Sequence, residues 1–132
     1  MFDQELRSEL QSVLQSTLID KADVEVFSRY LVFVYHVIKA SEPLLEHAVL
    51  RSEGTPYHAY FVEHLAEERS HEKWLADDLH ELGIDASKTG IPVIAVQMAG
   101  SAFYLVNCVN PLSLLGYMAC LEFFPTPIAE IE

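Results

Sequence analysis

The chain reads as an all-α helical bundle. Apolar residues recur at helical spacing in segment after segment. Proline and glycine fall at the ends of those segments, with capping residues beside them. The one β-branched and aromatic run, residues 30–35, has no hairpin partner in the sequence and lies inside a stretch about four turns long, so it too reads as helix.

The elements follow in order. Residues 3–19 carry Leu6, Leu10, Val13, Leu14 and Leu18 on one face, with Asp3 as N-cap. A break at Asp20–Asp23 leads to a second helix, Val24–Ala40, apolar nearly all round. Ser41-Glu-Pro43 reads as a cap followed by proline in a first turn, hence a kink or restart, with a short helix to Arg51. Ser52-Glu-Gly-Thr-Pro56 is the clearest boundary. Thr55 is the expected N-cap and Pro56 the first residue of one long helix to Leu82, with Gly83 placed to close it. Residues 84–91 form a loop. Pro92 opens a very apolar helix to Val109. Gln97, Ser101 and Asn107 interrupt that run and no basic flank follows it, which favours a buried central helix over a membrane span. Gly100 is the expected point of close approach to a neighbouring helix. Asn110-Pro111 repeats the cap-then-proline signature and starts a last helix to Phe124, ended by Pro125 and Pro127.

A length of 132 residues allows one domain at most. Twenty acidic against eight basic residues give a formal charge of −12. Nucleic acid, whose phosphates need a basic surface, is excluded as a partner, and anionic membranes are disfavoured. No secretory signal pattern follows Met1. Cys108 and Cys120 lie in apolar segments with no framework spacing. They read as reduced, packed thiols, and the chain as cytoplasmic. The apolar fraction is 51% and the mean hydropathy +0.18, high for a small domain with so many charges. That excess of apolar helix face points to a homo-oligomer, a dimer in the simplest case, or to a bundle of which this chain is a part.

Within the long helix expected over residues 56–82, His64-Leu-Ala-Glu-Glu-Arg-Ser-His71 places polar groups where leucines belong. At about 100° per residue from Phe61, residues Leu65, Leu75, Leu79 and Leu82 share one face. Glu68 falls near its centre, with His64 and His71 on its flank. A carboxylate facing a core is costly unless paired or bound to metal. Glu68 and His71 also form a Glu-x-x-His pair, the spacing that aims two ligands at one spot inside a bundle. The competing reading is a boundary stripe whose Glu and His reach water. In the last helix, Glu122 shares a face with Leu115, Met118 and Ala119, a second carboxylate among apolar neighbours. Its plain alternative is a C-terminal residue facing solvent. His36 sits in a nearly apolar helix and reads as a core histidine satisfied by a polar partner.

Two segments together resemble a known family. They are His64-Leu-Ala-Glu-Glu-Arg-Ser-His71, continuing to Gly83, and Asn110-Pro-Leu-Ser-Leu-Leu-Gly-Tyr-Met-Ala-Cys-Leu-Glu122. In order and spacing they are similar to the heme-oxygenase-like di-iron oxidases, iron-containing redox enzymes that share a helical fold with heme oxygenase and the TenA-type thiaminases. The resemblance covers roughly residues 25–124. It implies a heme-oxygenase-like bundle with non-heme iron held between helices by Glu68, His71 and Glu122. His64 and His36 stand as weaker ligand candidates or as residues that would steady a ligand, and Tyr104 and Tyr117 as pocket-lining residues. It also implies O₂ activation on a small-molecule substrate such as a fatty acid, an amino acid or an amine. The family draws further ligands from a later His-x-x-x-Asp-x-x-His helix. No His or Cys follows Cys120 here, so residues 1–132 are expected to form a single helical domain that is the N-terminal part of a longer bundle, or one completed by a partner chain. The three matched ligands suffice for one metal but not for two.

Three other readings stay open. A TenA-like hydrolase needs a nucleophilic cysteine, Cys108 or Cys120, with an acid. Cys120 and Glu122 point about 200° apart on a helix, which disfavours that pair. A heme protein would need His36 or His47 as its axial ligand. A non-enzymatic helical binding or dimerisation module would keep the fold without the site.

Overall fold

The computed structural model describes residues 4, 8 and 24–123, with side chains of the last helix described as far as Leu121. Of the amphipathic helix expected over residues 3–19, only Gln4 and Ser8 fall in the described set, and both are helical. Five α-helices make up the rest: α1 Val24–Arg51, α2 His58–Glu68, α3 His71–Glu81, α4 Val93–Tyr104 and α5 Ser113–Phe123. A 3₁₀ turn, Ala86–Lys88, precedes α4, and a π turn, Leu105–Val109, follows it. No strand occurs among the described residues, so the residue 30–35 run is helical as expected. The all-α class is thereby established.

The helix α1 is the spine. Its 28 residues extend about 42 Å, and every other helix packs against it. The expected restart at Pro43 does not occur, because α1 runs through it as one helix. Proline inside a helix forfeits one hydrogen bond and crowds the carbonyl four residues back, a penalty of about 3 kcal/mol. Burial on both sides offsets it. Tyr35 and Val37 are buried before the proline, and Leu44, Leu45 and Ala48 after it.

Two apolar clusters divide that spine. Toward its C-terminal half, Leu44, Leu45 and Ala48 pack with Phe61 and Leu65 of α2, Ala102 of α4, Val106 of the π turn, and Leu114 and Met118 of α5. Toward its N-terminal half, Tyr35 packs with Leu79 of α3 and Ala86 of the 3₁₀ turn. At roughly 25 cal/mol per Å² of apolar surface, each fully buried Leu or Phe contributes about 1.5–3 kcal/mol.

The boundaries follow local chemistry. Gly54 at φ +81° makes the turn after α1. Thr55 is not an N-cap as expected: its hydroxyl donates to the Ser52 carbonyl at 2.6 Å, and α2 begins only at His58. Gly83 does close α3, at φ +80°. Its N–H donates to the His80 carbonyl, and Ile84 N–H donates to the Leu79 carbonyl, both at 2.9 Å. This is the paired closure that a left-handed glycine permits, and Ile84 packs beside Leu79 as part of it. Asn110 Oδ1 accepts from Leu112 N–H at 2.9 Å and so forms the turn that leads into the last helix, which begins at Ser113 rather than at Pro111 as expected.

The Pro92–Val109 segment departs from its expectation. It is an α-helix that loosens into the π turn after Tyr104. It buries one narrow side through Ala95, Ala102 and Val106, while Val93, Ile94, Val96 and Tyr104 are more than half exposed. It is therefore a one-sided helix rather than a buried central one. A Cβ added at Gly100 would meet nothing within 4 Å, so among the described residues no neighbour approaches closely there. His47 and Arg51 of α1 reach across to the π turn: His47 Nδ1 lies 3.1 Å from Asn107 Oδ1, and Arg51 donates to the Asn107 carbonyl. Among the described residues no helix is long and apolar enough to cross a membrane.

Candidate functional site

The expected single helix over residues 56–82 is two helices. After Glu68 the backbone turns extended at Arg69, with ψ 127°, and left-handed at Ser70, with φ 72°. Ser70 is the one non-glycine residue with positive φ among those described. Such a conformation costs an L-residue about 1–2 kcal/mol, and strain of this kind concentrates at functional sites. The break falls inside the Glu-x-x-His pair and re-aims α3, so that His71 turns back toward Glu68.

The Glu68 carboxylate lies between two imidazoles. His71 Nδ1 is 3.3 Å from Oε2, and His64 Nε2 is 3.6 Å from Oε1. His64 is 7% exposed, whereas the Glu68 side chain keeps 18% and the His71 side chain 34% of their surfaces. The group thus grades from core to opening. Trp74 stacks on His71 with ring centres 4.8 Å apart and planes 22° from parallel, which fixes the imidazole plane.

This group borders a cavity of about 440 Å³ between α1, α3 and α5. Val34, Ile38, Leu75, Met118 and Leu121 form its apolar wall. Ser41, Glu68, His71, Trp74 and Asp78 supply its polar and aromatic edge. Trp74 and Asp78 were not among the expected site residues. They follow His71 at i+3 and i+7, on the same side of α3, a spacing that the sequence itself carries.

The other candidates distribute as follows. Glu122 is on α5, one turn past Met118, but its side chain lies outside the described residues. His36 Nε2 is 2.9 Å from Thr89 Oγ1. The Thr89 hydroxyl donates to the Ala86 carbonyl at 2.6 Å, so Nε2 carries the proton and donates to the hydroxyl. His36 therefore has the polar partner expected of it, well away from Glu68, and burial followed by the nearby Lys39 charge lowers its pKa. Tyr104 is 63% exposed at the end of α4 rather than lining this cavity. Tyr117 packs against the C-terminal cluster, and its hydroxyl is buried with no hydrogen-bond partner among the described residues. Burial raises its pKa. Cys108 and Cys120 are both exposed, not packed as expected, because the apolar faces they sit on are themselves uncovered. Leu82, at the C-terminal end of α3, is likewise 39% exposed.

One carboxylate and two imidazoles form a donor set suited to Fe(II) or a similar divalent ion. Here they are paired with one another, and among the described residues no three His, Cys, Asp or Glu side chains stand in a ready metal-holding arrangement. No protein-family model matches this chain, and neither does any curated protein or solved structure.

Proposed function

We propose that the chain carries a non-heme iron centre of the heme-oxygenase-like di-iron type and oxidises a small organic substrate with O₂. The observation that carries this reading is the Glu68 carboxylate, only 18% exposed, set between His64 and His71 at the edge of an apolar cavity. Glu68, His71 and Glu122 would hold the metal, with His64 steadying Glu68. Bound iron supplies activation of O₂ for chemistry at an unreactive C–H or C–C bond.

The chain's own residues have separate tasks. His64, nearly buried, limits the carboxylate of Glu68 to one orientation, as partners of metal-binding carboxylates do. Trp74 holds the His71 ring in plane. Ile38, Leu75, Met118 and Leu121 bind an apolar substrate and keep water from it. The break at Ser70 lets α2 and α3 each present a donor from its own helix end.

Metal content after anaerobic Fe(II) loading tests the proposal. The expected result is iron bound to the wild-type chain and lost in each of Glu68→Ala, His71→Ala and Glu122→Ala, with helical circular dichroism preserved. No iron in the wild type, or unchanged iron in all three variants, refutes it.

A further inference from the structure

We infer that the cavity beside Glu68 takes a medium-chain aliphatic amine, bound as its ammonium ion with the charged end at Asp78 and Trp74. The inference deepens the iron reading by naming the substrate class, and rests on it for calling this cavity the substrate site. The binding argument itself uses only the cavity.

The cavity, about 440 Å³, is of the size that small organic ligands occupy. Its wall is aliphatic, from Ile38, Leu75, Met118 and Leu121, and suits a saturated chain. The charges on its edge decide the head group. Its ionisable side chains are the acids Glu68 and Asp78 and the imidazole of His71, which is paired with Glu68, and neither lysine nor arginine is among the described residues that line it. A carboxylate ligand would enter against two like charges, inside a chain of formal charge −12. An alcohol would leave Asp78 without a counter-charge. An ammonium ion answers both.

Position assigns the two ends. Asp78 makes no ion pair among the described residues, whereas Glu68 is engaged by two imidazoles. Asp78 and Trp74 are one turn apart on α3, and Trp74 is 69% exposed at the cavity mouth. An indole face beside a carboxylate is a recognised seat for an organic cation, and at the mouth the ammonium keeps part of its hydration. Asp78 lies two turns beyond His71, about 10 Å along α3. An extended medium-length chain anchored at Asp78 runs along the aliphatic wall and brings its far carbons to Glu68 and His71.

Calorimetric titration of the metal-free chain with octylamine, 1-octanol and octanoate tests this at neutral pH. Octylamine is expected to bind at least tenfold more tightly than octanoate. Asp78→Asn should weaken octylamine about tenfold while leaving octanol unchanged. Asp77→Asn removes the same charge one residue away and off the cavity, and should leave octylamine affinity intact. Octanoate binding as tightly as octylamine, equal losses in the two asparagine variants, or no octylamine binding would overturn the inference. Iron stoichiometry, measured without amine, reports separately on the metal reading. Iron bound with no amine preference refutes only the substrate class, and amine bound without iron refutes only the metal centre.

Discussion

Replacing Ser70 with glycine distinguishes a broken helix from a continuous one by the sign of the stability change. In the left-handed conformation found here, φ 72°, serine bears a cost of about 1–2 kcal/mol that glycine does not. Glycine loses about 0.5–1 kcal/mol more backbone entropy on ordering. The difference leaves Ser70→Gly more stable by about 0.5–1 kcal/mol. Were residues 56–82 one helix, the same substitution would instead cost about 0.5 kcal/mol through helix propensity. Ser70→Val sharpens the contrast. A β-branched residue is nearly excluded at positive φ and should destabilise by more than 1 kcal/mol, yet would be close to neutral in a continuous helix. For a chain of this size 1 kcal/mol shifts Tm by about 4 °C, within reach of calorimetry or urea denaturation. A stabilised Ser70→Val, or a destabilised Ser70→Gly, would refute the break and with it the present placement of His71 against Glu68.

Alongside the iron-loading and amine-titration outcomes above, two further results are expected. Tyr117→Phe removes a buried hydroxyl that has no partner among the described residues and should raise stability by about 1 kcal/mol in urea denaturation; a loss of that size would show the hydroxyl to be satisfied. His36 has a pKa lowered from 6.5 by burial and by Lys39, so below 6.5 the unfolded chain binds a proton that the folded chain resists. Stability should therefore fall as pH drops from 6.5 toward the lowered value, and stay level above 6.5 as far as this group is concerned. His36→Gln, which can still donate to Thr89, should flatten that slope in Tm measured against pH. An unchanged slope would exclude His36 as its source.

Much of the helical order could be read from residues alone, because its signals are local. Gly83 closes α3 and Asn110 makes the turn before the last helix, each by hydrogen bonds to residues close by in sequence. The pairing of Glu68 with His71 was legible for the same reason. What was not legible depends on distant partners. Pro43 argues for a break and Arg69-Ser70 for continuity, yet tertiary packing reverses both. The proline is carried by burial on either side of it, and no glycine or proline marks Ser70. Trp74 and Asp78 share a side of α3 with His71, but only the packing of α1 and α5 opposite them makes them cavity residues. The uncovered side of α4 was equally hidden, since a helix apolar all round offers no contrast between its faces. The family resemblance rests on two short motifs, and the iron reading depends on Glu68, His71 and Glu122 together.

That every helix leans on α1 has a consequence for how change propagates. Glu68 arrives on α2, Trp74 and Asp78 on α3, and Met118 on α5; α2 and α3 take their seats chiefly from α1, while α5 rests on the π turn and α4 as well. The cavity is a shared boundary of modules registered to a single rod. Substitutions on α3 and on α4 meet chiefly through that rod, so their free energies should be close to additive. Any of the three walls can drift in sequence on its own while its seat on α1 is kept. Residues of α1 that face two modules at once have no such freedom, and variation in the family of chains built this way would be scarcest there.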